Sequence, residues 1–263
     1  MITRLTLFFV TTFAASACGL GDIGSGSSDA QRIVVSVAVS LSDALRRASD
    51  EFERTTGVTV DLNVGGSDTL ATQLLAGATG DLFVSADTRQ MDRVEAGGRI
   101  ITSTRVDLFS NQLVVVSSVD LAGYVSGIRD LESLRVRRIA MGDPESVPAG
   151  VYAQEFLKSV GIWDTVRSKV VPTRSVRAAL AAVEAGNADV GVVYQTDVAL
   201  AENVSIAFVV PVEQGPRIRY VAAVAAGAPH ESTAKQLLNF LRATRARRIF
   251  EDAGFIALGG ATP

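Results

Sequence analysis

Four places along the chain put a small or hydroxyl-bearing residue between the end of a predicted strand and the start of a predicted helix. They are Val39-Ser40-Leu41, Gly66-Ser67-Asp68, Val147-Pro148-Ala149-Gly150 and Arg174-Ser175-Val176. The first turn of a helix leaves backbone N–H groups without intrahelical acceptors and carries about half a positive charge. Several such turns aimed at one point can bind an anion without a cationic side chain. Serine is also a common N-cap that needs no ligand, so each segment alone is weak evidence for a site.

These segments belong to an alternating pattern of strands and helices. Residues 33–39 form a β-rich run typical of a buried strand, and apolar residues then recur at helical spacing as far as Gly57. Further strands are predicted at 58–64, 81–85, 113–117, 138–141, 190–194, 204–210 and, as the last strand, 220–224. The alternation predicts an α/β fold with a largely parallel sheet. About ten strands would make one very large sheet, which favours two lobes.

Six segments in a fixed order add a more specific pattern. They are Ala38-Val39-Ser40-Leu41, Gly66-Ser67-Asp68-Thr69-Leu70, Asp81-Leu82-Phe83-Val84-Ser85-Ala86-Asp87, Gly142-Asp143-Pro144-Glu145-Ser146-Val147-Pro148-Ala149-Gly150, Val192-Val193-Tyr194 and Ala253-Gly254-Phe255. Together they resemble the periplasmic molybdate-binding proteins of ABC-type importers. The resemblance covers essentially all of residues 33–255. It implies a two-lobed α/β fold of the type II periplasmic-binding-protein kind, with the ligand cleft between the lobes.

The same resemblance implies an oxyanion site built from hydroxyl and backbone N–H groups. Ser40 and Ser67 would each offer both kinds of donor, Ala149 and Val176 a backbone N–H, and Tyr194 its phenol. Molybdate near neutral pH is a deprotonated dianion that only accepts hydrogen bonds, each worth about 1.5–3 kcal/mol when one partner is charged. The implied function is capture of molybdate or tungstate by lobe closure, without a cofactor and without a direct metal-cation site. Sulfate and phosphate remain alternative ligands, and pocket size must separate them.

One position departs from the pattern of the molybdate-binding proteins. Asp68 stands where their serine-rich segment commonly has another serine. A carboxylate in the first turn of a helix is stabilising by roughly 0.3–1 kcal/mol, which gives Asp68 a structural role. Aimed into the pocket, it would instead repel a dianion or accept a proton from an anion such as hydrogen phosphate. We expect Asp68 to point away from the pocket.

The first residues are typical of an export signal. Arg4 precedes an apolar run at 5–15, which is far shorter than the ~20 residues that span a bilayer. The run leads into Ala15-Ser16-Ala17-Cys18, which resembles the lipobox of bacterial lipoproteins except that leucine is preferred where Ala15 stands. We expect a signal peptide at 1–18 with lipidation of Cys18, and a flexible Gly/Ser-rich tether at 19–31. Ordinary signal cleavage nearby, with Cys18 incidental, is the alternative.

The predicted organisation follows from these assignments. Lobe I comprises residues 32–112 and 222–263, and lobe II comprises 113–221, so that Ser40 and Ser67 face the other three site residues across the cleft. The protein is expected in the periplasm or on the outer face of the cell membrane, anchored by lipid. Expected partners are the oxyanion and the membrane permease of an ABC importer, with the protein itself a monomer.

Other classes of function lack the residues they need. A net charge of -3 gives no electrostatic footprint for nucleic acid, and the arginines at 242–248 fit a solvated helix face. The protein is not expected to be an enzyme, since His230 is its one histidine and Cys18 its one cysteine. An enzyme on this fold would need a titratable group in the cleft, and a sensor would need a DNA-binding domain. The carboxylates beside Pro and Gly are expected to serve turns and caps rather than a cation: Asp81, Asp87, Asp143 and Glu145.

Overall fold

The computed structural model describes residues 31–258, so the predicted signal peptide, Cys18 and residues 19–30 of the predicted tether lie outside the described residues. The strands are β1 (Arg32–Ala38), β2 (Thr59–Gly65), β3 (Leu82–Ser85), β4 (Val106–Ser110), β5 (Leu113–Ser118), β6 (Ile139–Gly142), β7 (Val170–Thr173), β8 (Val190–Tyr194), β9 (Val204–Val209), β10 (Tyr220–Val224) and β11 (Ile256–Ala257). The helices are α1 (Ser42–Thr56), α2 (Ser67–Leu75), α3 (Thr88–Ala96), α4 (Pro148–Ser159), α5 (Trp163–Val166), α6 (Val176–Glu184), α7 (Gln195–Val198), α8 (Glu231–Arg242) and α9 (Thr244–Asp252). Within this part of the chain no helix has the length and apolar character needed to cross a membrane.

The strands form two separate sheets, which define two lobes. The first sheet has the order β11-β4-β10-β3-β1-β2, and the second has the order β7-β6-β8-β5-β9. The chain passes from the first sheet to the second between β4 and β5, and it returns between β9 and β10. Strand β10, which the predicted boundary at 222 divides, lies whole in the first sheet.

The expected largely parallel sheet is wrong, because both sheets are mixed. β1 is parallel to β2 and β3, and β6 is parallel to β7 and β8, as strand–helix alternation requires. The strands next to the two crossings run antiparallel to their neighbours: β10 to β3 and β4, and β5 to β8 and β9. Strand β10 is also not the last strand, since β11 pairs with β4.

Local sequence explains where the elements begin and end. The predicted helix before Gly57 is α1, and Gly57 ends it in a left-handed conformation with φ of 73° that favours glycine. The apolar face of α1 packs on β2 and buries Leu45, Ala48 and Phe52. The fully buried central strands have continuous apolar runs, such as the Val-Gly-Val-Val-Tyr of β8. Packing of helices on the faces of its sheet therefore stabilises each lobe.

The two lobes contact each other across the cleft. At one side the Gln90 side-chain amide donates to the Ser146 carbonyl oxygen over 3.1 Å, and at the other Arg177 forms an ion pair with Asp43. Between them, the backbone of Gly66 approaches the carbonyl oxygen of Arg174 so closely that a Cβ at position 66 would lie 3.3 Å from it. The structure is therefore the closed arrangement of the lobes.

Candidate functional site

All five residues predicted to bind the anion line one small cavity between the lobes. Ser40 follows β1 and Ser67 follows β2 in the first lobe. In the second lobe Ala149 and Val176 follow β6 and β7, and Tyr194 is the last residue of β8. The cavity has a volume of about 20 Å³ and is lined by Ala38, Val39, Ser40, Gly65, Gly66, Ser67, Ala86, Val147, Pro148, Ala149, Ser175, Val176 and Tyr194. This is only slightly more than the ~10–15 Å³ that one water molecule needs. The closed cavity therefore admits only a compact ligand.

The first turns of four helices meet at this cavity. Ser40 lies in the turn Val39–Leu41 that runs into α1, and Ser67 is the first residue of α2. Ala149 is the second residue of α4, and Val176 is the first residue of α6. Backbone N–H groups at these positions have no acceptor within their own helix. The helix dipoles therefore give the cavity a positive potential without a cation.

The two serine hydroxyls are oriented by other groups. The Ser67 hydroxyl oxygen accepts the backbone N–H of Ala86 over 3.0 Å. The Ser40 hydroxyl oxygen lies 3.0 Å from the phenol oxygen of Tyr220. Because the Ser67 oxygen accepts, its own hydrogen is free to be donated into the cavity.

Tyr194 supplies the third hydroxyl of the cavity. Its side chain is 1% exposed, and its phenol oxygen has no hydrogen-bond partner among the described residues. Burial, with a smaller effect from neighbouring Tyr220, raises the pKa of Tyr194 well above its usual value, so the phenol keeps its hydrogen. A buried hydroxyl without a partner is costly, and a bound acceptor would satisfy it.

Two glycines allow the backbone of α4 to lie close to the end of β6. A Cβ at Gly150 would overlap the carbonyl oxygen of Gly142, and a Cβ at Gly142 would lie 2.6 Å from a methyl group of Val147. Pro148 occupies the first position of α4, where its missing N–H leaves no intrahelical hydrogen bond unmade. The first turn of α4 can therefore pack against the end of β6, with Ala149 at the cavity.

Ser175 also lines the cavity, and the sequence pattern had assigned it no ligand contact. Its hydroxyl oxygen accepts the N–H of Ala178 over 3.2 Å and so caps α6. The cap satisfies one of the free N–H groups of the helix but leaves that of Val176 available. Ser175 therefore caps the helix start and leaves the N–H of its neighbour Val176 free to act as the predicted donor.

The full charges near the site are paired beside the cavity rather than inside it. None of the lining residues is an acid, a lysine, an arginine or a histidine. Next to Val176, the Arg177 guanidinium contacts Asp43 of the first lobe and lies 3.4 Å from Asp197. Asp197 is fully buried, and burial raises its pKa to about 7 although Arg177 acts in the opposite direction.

Asp68 is not among the residues that line the cavity, and the direction of its carboxylate stays a prediction. Its carboxylate is not fully solvated either, because Oδ1 has no exposed surface and would lie 2.6 Å from a Cβ at Gly66. Asp68 is the second residue of α2, where a negative charge is favoured by the helix dipole. The position fits the structural role predicted for it.

Two of the four carboxylates near the motifs serve a cap and a turn, as predicted. Asp87 caps α3 by accepting the Gln90 N–H over 3.0 Å, and Asp143 accepts the N–H of Glu145 over 2.9 Å. Asp81 accepts the N–H groups of Val34 and His230. In residues 31–258 no group of three or more potential ligand side chains is placed to bind a metal ion.

A larger cavity of about 360 Å³ lies at the crossings between the lobes and is lined by residues of 110–113, 210–219 and 256–258. It contains none of the five predicted residues, and none of the four helix starts faces it. Size alone would favour this cavity, but the convergence of donors favours the smaller one. We therefore place the candidate site in the smaller cavity.

A cavity between two α/β lobes, closed by contacts from both, defines a binding protein that encloses its ligand. The chain belongs to the family of bacterial extracellular solute-binding proteins, whose model matches residues 33–256.

Known relatives cover nearly the whole chain. The molybdate-binding protein ModA of Escherichia coli is 36% identical over 94% of this chain and 97% of its own length. YvgL of Bacillus subtilis, named as an ABC transporter substrate-binding lipoprotein, is 31% identical over 97% of this chain and 96% of its own. Among solved structures, the substrate-binding domain of a molybdenum ABC transporter from Clostridium difficile superposes with a TM-score of 0.68 at 33% identity. That superposition covers 87% of this chain and 99% of the other, and it confirms the two-lobed type II fold.

Proposed function

We propose that this protein captures molybdate or tungstate and delivers it to the membrane permease of an ABC importer. The observation that carries the proposal is that the five residues predicted as donors, from both lobes, line one cavity without a charged lining residue. The donors are the hydroxyls of Ser40, Ser67 and Tyr194 and the N–H groups of Ala149 and Val176. Relatives named as molybdate-binding proteins support the choice of ligand.

The chemistry of the cavity suits a fully deprotonated tetrahedral anion. Such an anion has only acceptor oxygens, and every polar group that we assign to it is a donor. Hydrogen bonds with one charged partner are worth about 1.5–3 kcal/mol each, so five can bind a dianion without a salt bridge. A protonated oxyanion would also need an acceptor in the cavity, which disfavours hydrogen phosphate.

Ligand binding would stabilise the closed arrangement. Ser40 and Ser67 belong to the first lobe and the other three donors to the second, so only the closed form offers all five at once. A ligand shifts a conformational equilibrium by its difference in affinity for the two forms. The permease would then recognise the closed, loaded protein.

The proposed location is the periplasm or the outer surface of the cell membrane, with the lipid on Cys18 as anchor. The family is one of extracellular solute-binding proteins, and YvgL is named as a lipoprotein. Replacement of Cys18 by Ala should move the protein from the membrane fraction to the soluble exported fraction. Equal membrane retention of the Cys18→Ala protein would reject the anchor while leaving the ligand proposal intact.

Isothermal titration calorimetry with molybdate, tungstate, sulfate and phosphate tests the ligand directly. We expect binding heat with molybdate and tungstate, and weaker or no heat with sulfate and phosphate. Heat with sulfate or phosphate but none with molybdate would assign the cavity to a different oxyanion. Heat with none of the four would reject oxyanion binding altogether.

A further inference from the structure

The hydroxyl of Ser40 stands at the end of a buried chain of polar groups. Its oxygen lies 3.0 Å from the phenol oxygen of Tyr220, which in turn lies 3.2 Å from the side-chain nitrogen of Asn111. That nitrogen also donates to the Thr196 hydroxyl oxygen over 2.8 Å. Ser40, Tyr220 and Asn111 are all buried, with at most 6% of each exposed.

The contacts of Asn111 set the direction of the hydrogen bonds in this chain. Its amide oxygen accepts the backbone N–H of Gln112 over 2.8 Å, which orients the amide group. The two hydrogens of its nitrogen are then donated to Thr196 and Tyr220. The phenol oxygen of Tyr220 is therefore an acceptor from Asn111.

The single hydrogen of the Tyr220 phenol also needs a partner. Burial raises the pKa of Tyr220 far above its usual value, so the phenol stays protonated. The Ser40 oxygen is the acceptor that the described contacts place within reach. If Ser40 donated instead, the Tyr220 hydrogen would be buried without a partner, which is costly.

We propose that Tyr220 and Asn111 are positioning residues for anion binding, which orient Ser40 so that its hydroxyl hydrogen faces the cavity. This inference rests on the proposed function, since it names how one donor of that same site is prepared. Neither residue lines the anion cavity itself. Their effect on the ligand acts through Ser40.

The chain of hydrogen bonds also crosses between the lobes. Asn111 lies in the passage from β4 to β5, Tyr220 begins β10 at the return, and Thr196 belongs to α7 of the second lobe. Ser40 belongs to the first lobe. Opening the lobes at these crossings would change the contacts of Asn111, so the orientation of the Ser40 hydroxyl is coupled to closure.

A double-mutant cycle between Tyr220→Phe and Ser40→Ala tests the proposal, with the Kd for molybdate measured by calorimetry. Loss of the phenol in the otherwise intact protein should raise Kd by roughly tenfold, equivalent to one modest hydrogen bond. In the Ser40→Ala background the same change should have almost no further effect. Full additivity of the two changes, or an unchanged Kd in Tyr220→Phe, would overturn the proposal.

Tyr152→Phe is the matched control. Tyr152 is another buried tyrosine near the crossings, and its phenol oxygen accepts the Arg219 N–H over 3.3 Å without lining the cavity. This variant should bind molybdate as the unchanged protein does. A rise in its Kd equal to that of Tyr220→Phe would show that loss of any buried phenol here weakens binding, and would overturn the specific role of Tyr220.

Asn111→Ala provides a second cycle with Ser40→Ala if Tyr220→Phe does not fold, as judged by thermal denaturation. The two changes should again be less than additive. The unchanged protein is first titrated with the four oxyanions. The double-mutant cycles then use whichever anion binds. Binding of a different oxyanion with an intact cycle would reject the molybdate assignment alone, and binding of none would reject both proposals.

Discussion

In the proposed site, the two halves of the cavity would supply the same kind of donor by different means. The first-lobe half uses two serine side chains, whose hydroxyl oxygens already contact Ala86 and Tyr220. The second-lobe half uses two backbone N–H groups and the phenol of Tyr194, which has no partner among the described residues. Contacts within the protein therefore orient the hydroxyls of the first half, whereas the Tyr194 phenol of the second half would find its partner in the ligand.

This difference bears on the closed form without ligand. A buried hydroxyl left without a hydrogen bond costs about 1–3 kcal/mol. When the lobes separate, water can reach the Tyr194 phenol and remove this cost. Closure over an empty cavity is thus penalised on the second-lobe side, and a bound anion cancels the penalty.

The largest effect is expected in the first-lobe half, from Ser67→Ala. Loss of the donated hydrogen should raise the molybdate Kd by roughly 10- to 100-fold. The free energy of unfolding should also fall by about 1–3 kcal/mol, because the buried Ala86 N–H loses its acceptor. Calorimetry and chemical denaturation measure the two quantities. Ser49→Ala is the control, since Ser49 is equally buried in α1 and its hydroxyl has no partner among the described residues.

In the second-lobe half, proline at position 176 removes a backbone donor without removing a functional side chain. Proline is tolerated at the first position of a helix, and Ser175 before it is extended with φ of −163° and ψ of 162°. Val176→Pro should raise the molybdate Kd by roughly tenfold or more. Thr88→Pro places proline at the same position of α3, after an extended Asp87, and should leave Kd unchanged. Equal affinity of the two variants would show that the Val176 N–H is not used.

Tyr194→Phe is the most direct test of the proposed difference between the two halves of the cavity. We expect the molybdate Kd to rise roughly tenfold, as for one lost hydrogen bond. The stability of the ligand-free protein should not fall, because the phenol has no protein partner to lose. Thermal denaturation with and without molybdate measures both effects. A loss of ligand-free stability like that of Ser67→Ala would erase the proposed difference between the halves.

The buried carboxylate behind the second-lobe half predicts a pH effect on stability. Burial raises the pKa of Asp197 from 3.8 to about 7, so the folded protein binds a proton that the unfolded chain has released. The free energy of unfolding should therefore decline as pH rises between about 4 and 7. Asp197→Asn should lack this part of the decline in denaturant titrations across the range. The same slope in both proteins would contradict the assignment.

The smallest effect is expected for Asp68→Asn. The change should leave the preference among molybdate, sulfate and phosphate as it is, since Asp68 does not line the cavity. Stability should fall by no more than about 0.3–1 kcal/mol through the lost interaction with the helix dipole. A switch of preference towards or away from phosphate, measured by competitive titration, would place the carboxylate in the site after all.

Much of the fold could be predicted from the sequence because its signals are local. The strand and helix patterns from β1 to α2 and the glycine after α1 are found where the periodicity indicates. The parallel character of the sheets was predicted wrongly, since hydrophobic runs do not reveal the direction of a strand that returns from another lobe. The two-residue strand β11 pairs with β4, which is distant in sequence, and so has no local signal.

The candidate site likewise contains residues that the sequence could predict and residues that it could not. Ser40 and Ser67 could be predicted because each carries a hydroxyl group at a predicted helix start. Ala149 and Val176 act through their backbone, so only resemblance to a family could select them, and their binding role stays a prediction. Tyr220 and Asn111 were missed because their importance depends on contacts between distant segments.

The absence of charged residues from the cavity lining has a consequence for release. The attraction between an anion and a dipole declines more steeply with distance than the attraction between two opposite charges. A lysine in the cavity would continue to attract a departing dianion, whereas helix starts and hydroxyls lose their effect within the first turn. A small separation of the lobes would therefore free the anion almost completely. Such a site can combine strong retention with rapid unloading, because no countercharge lines the cavity itself.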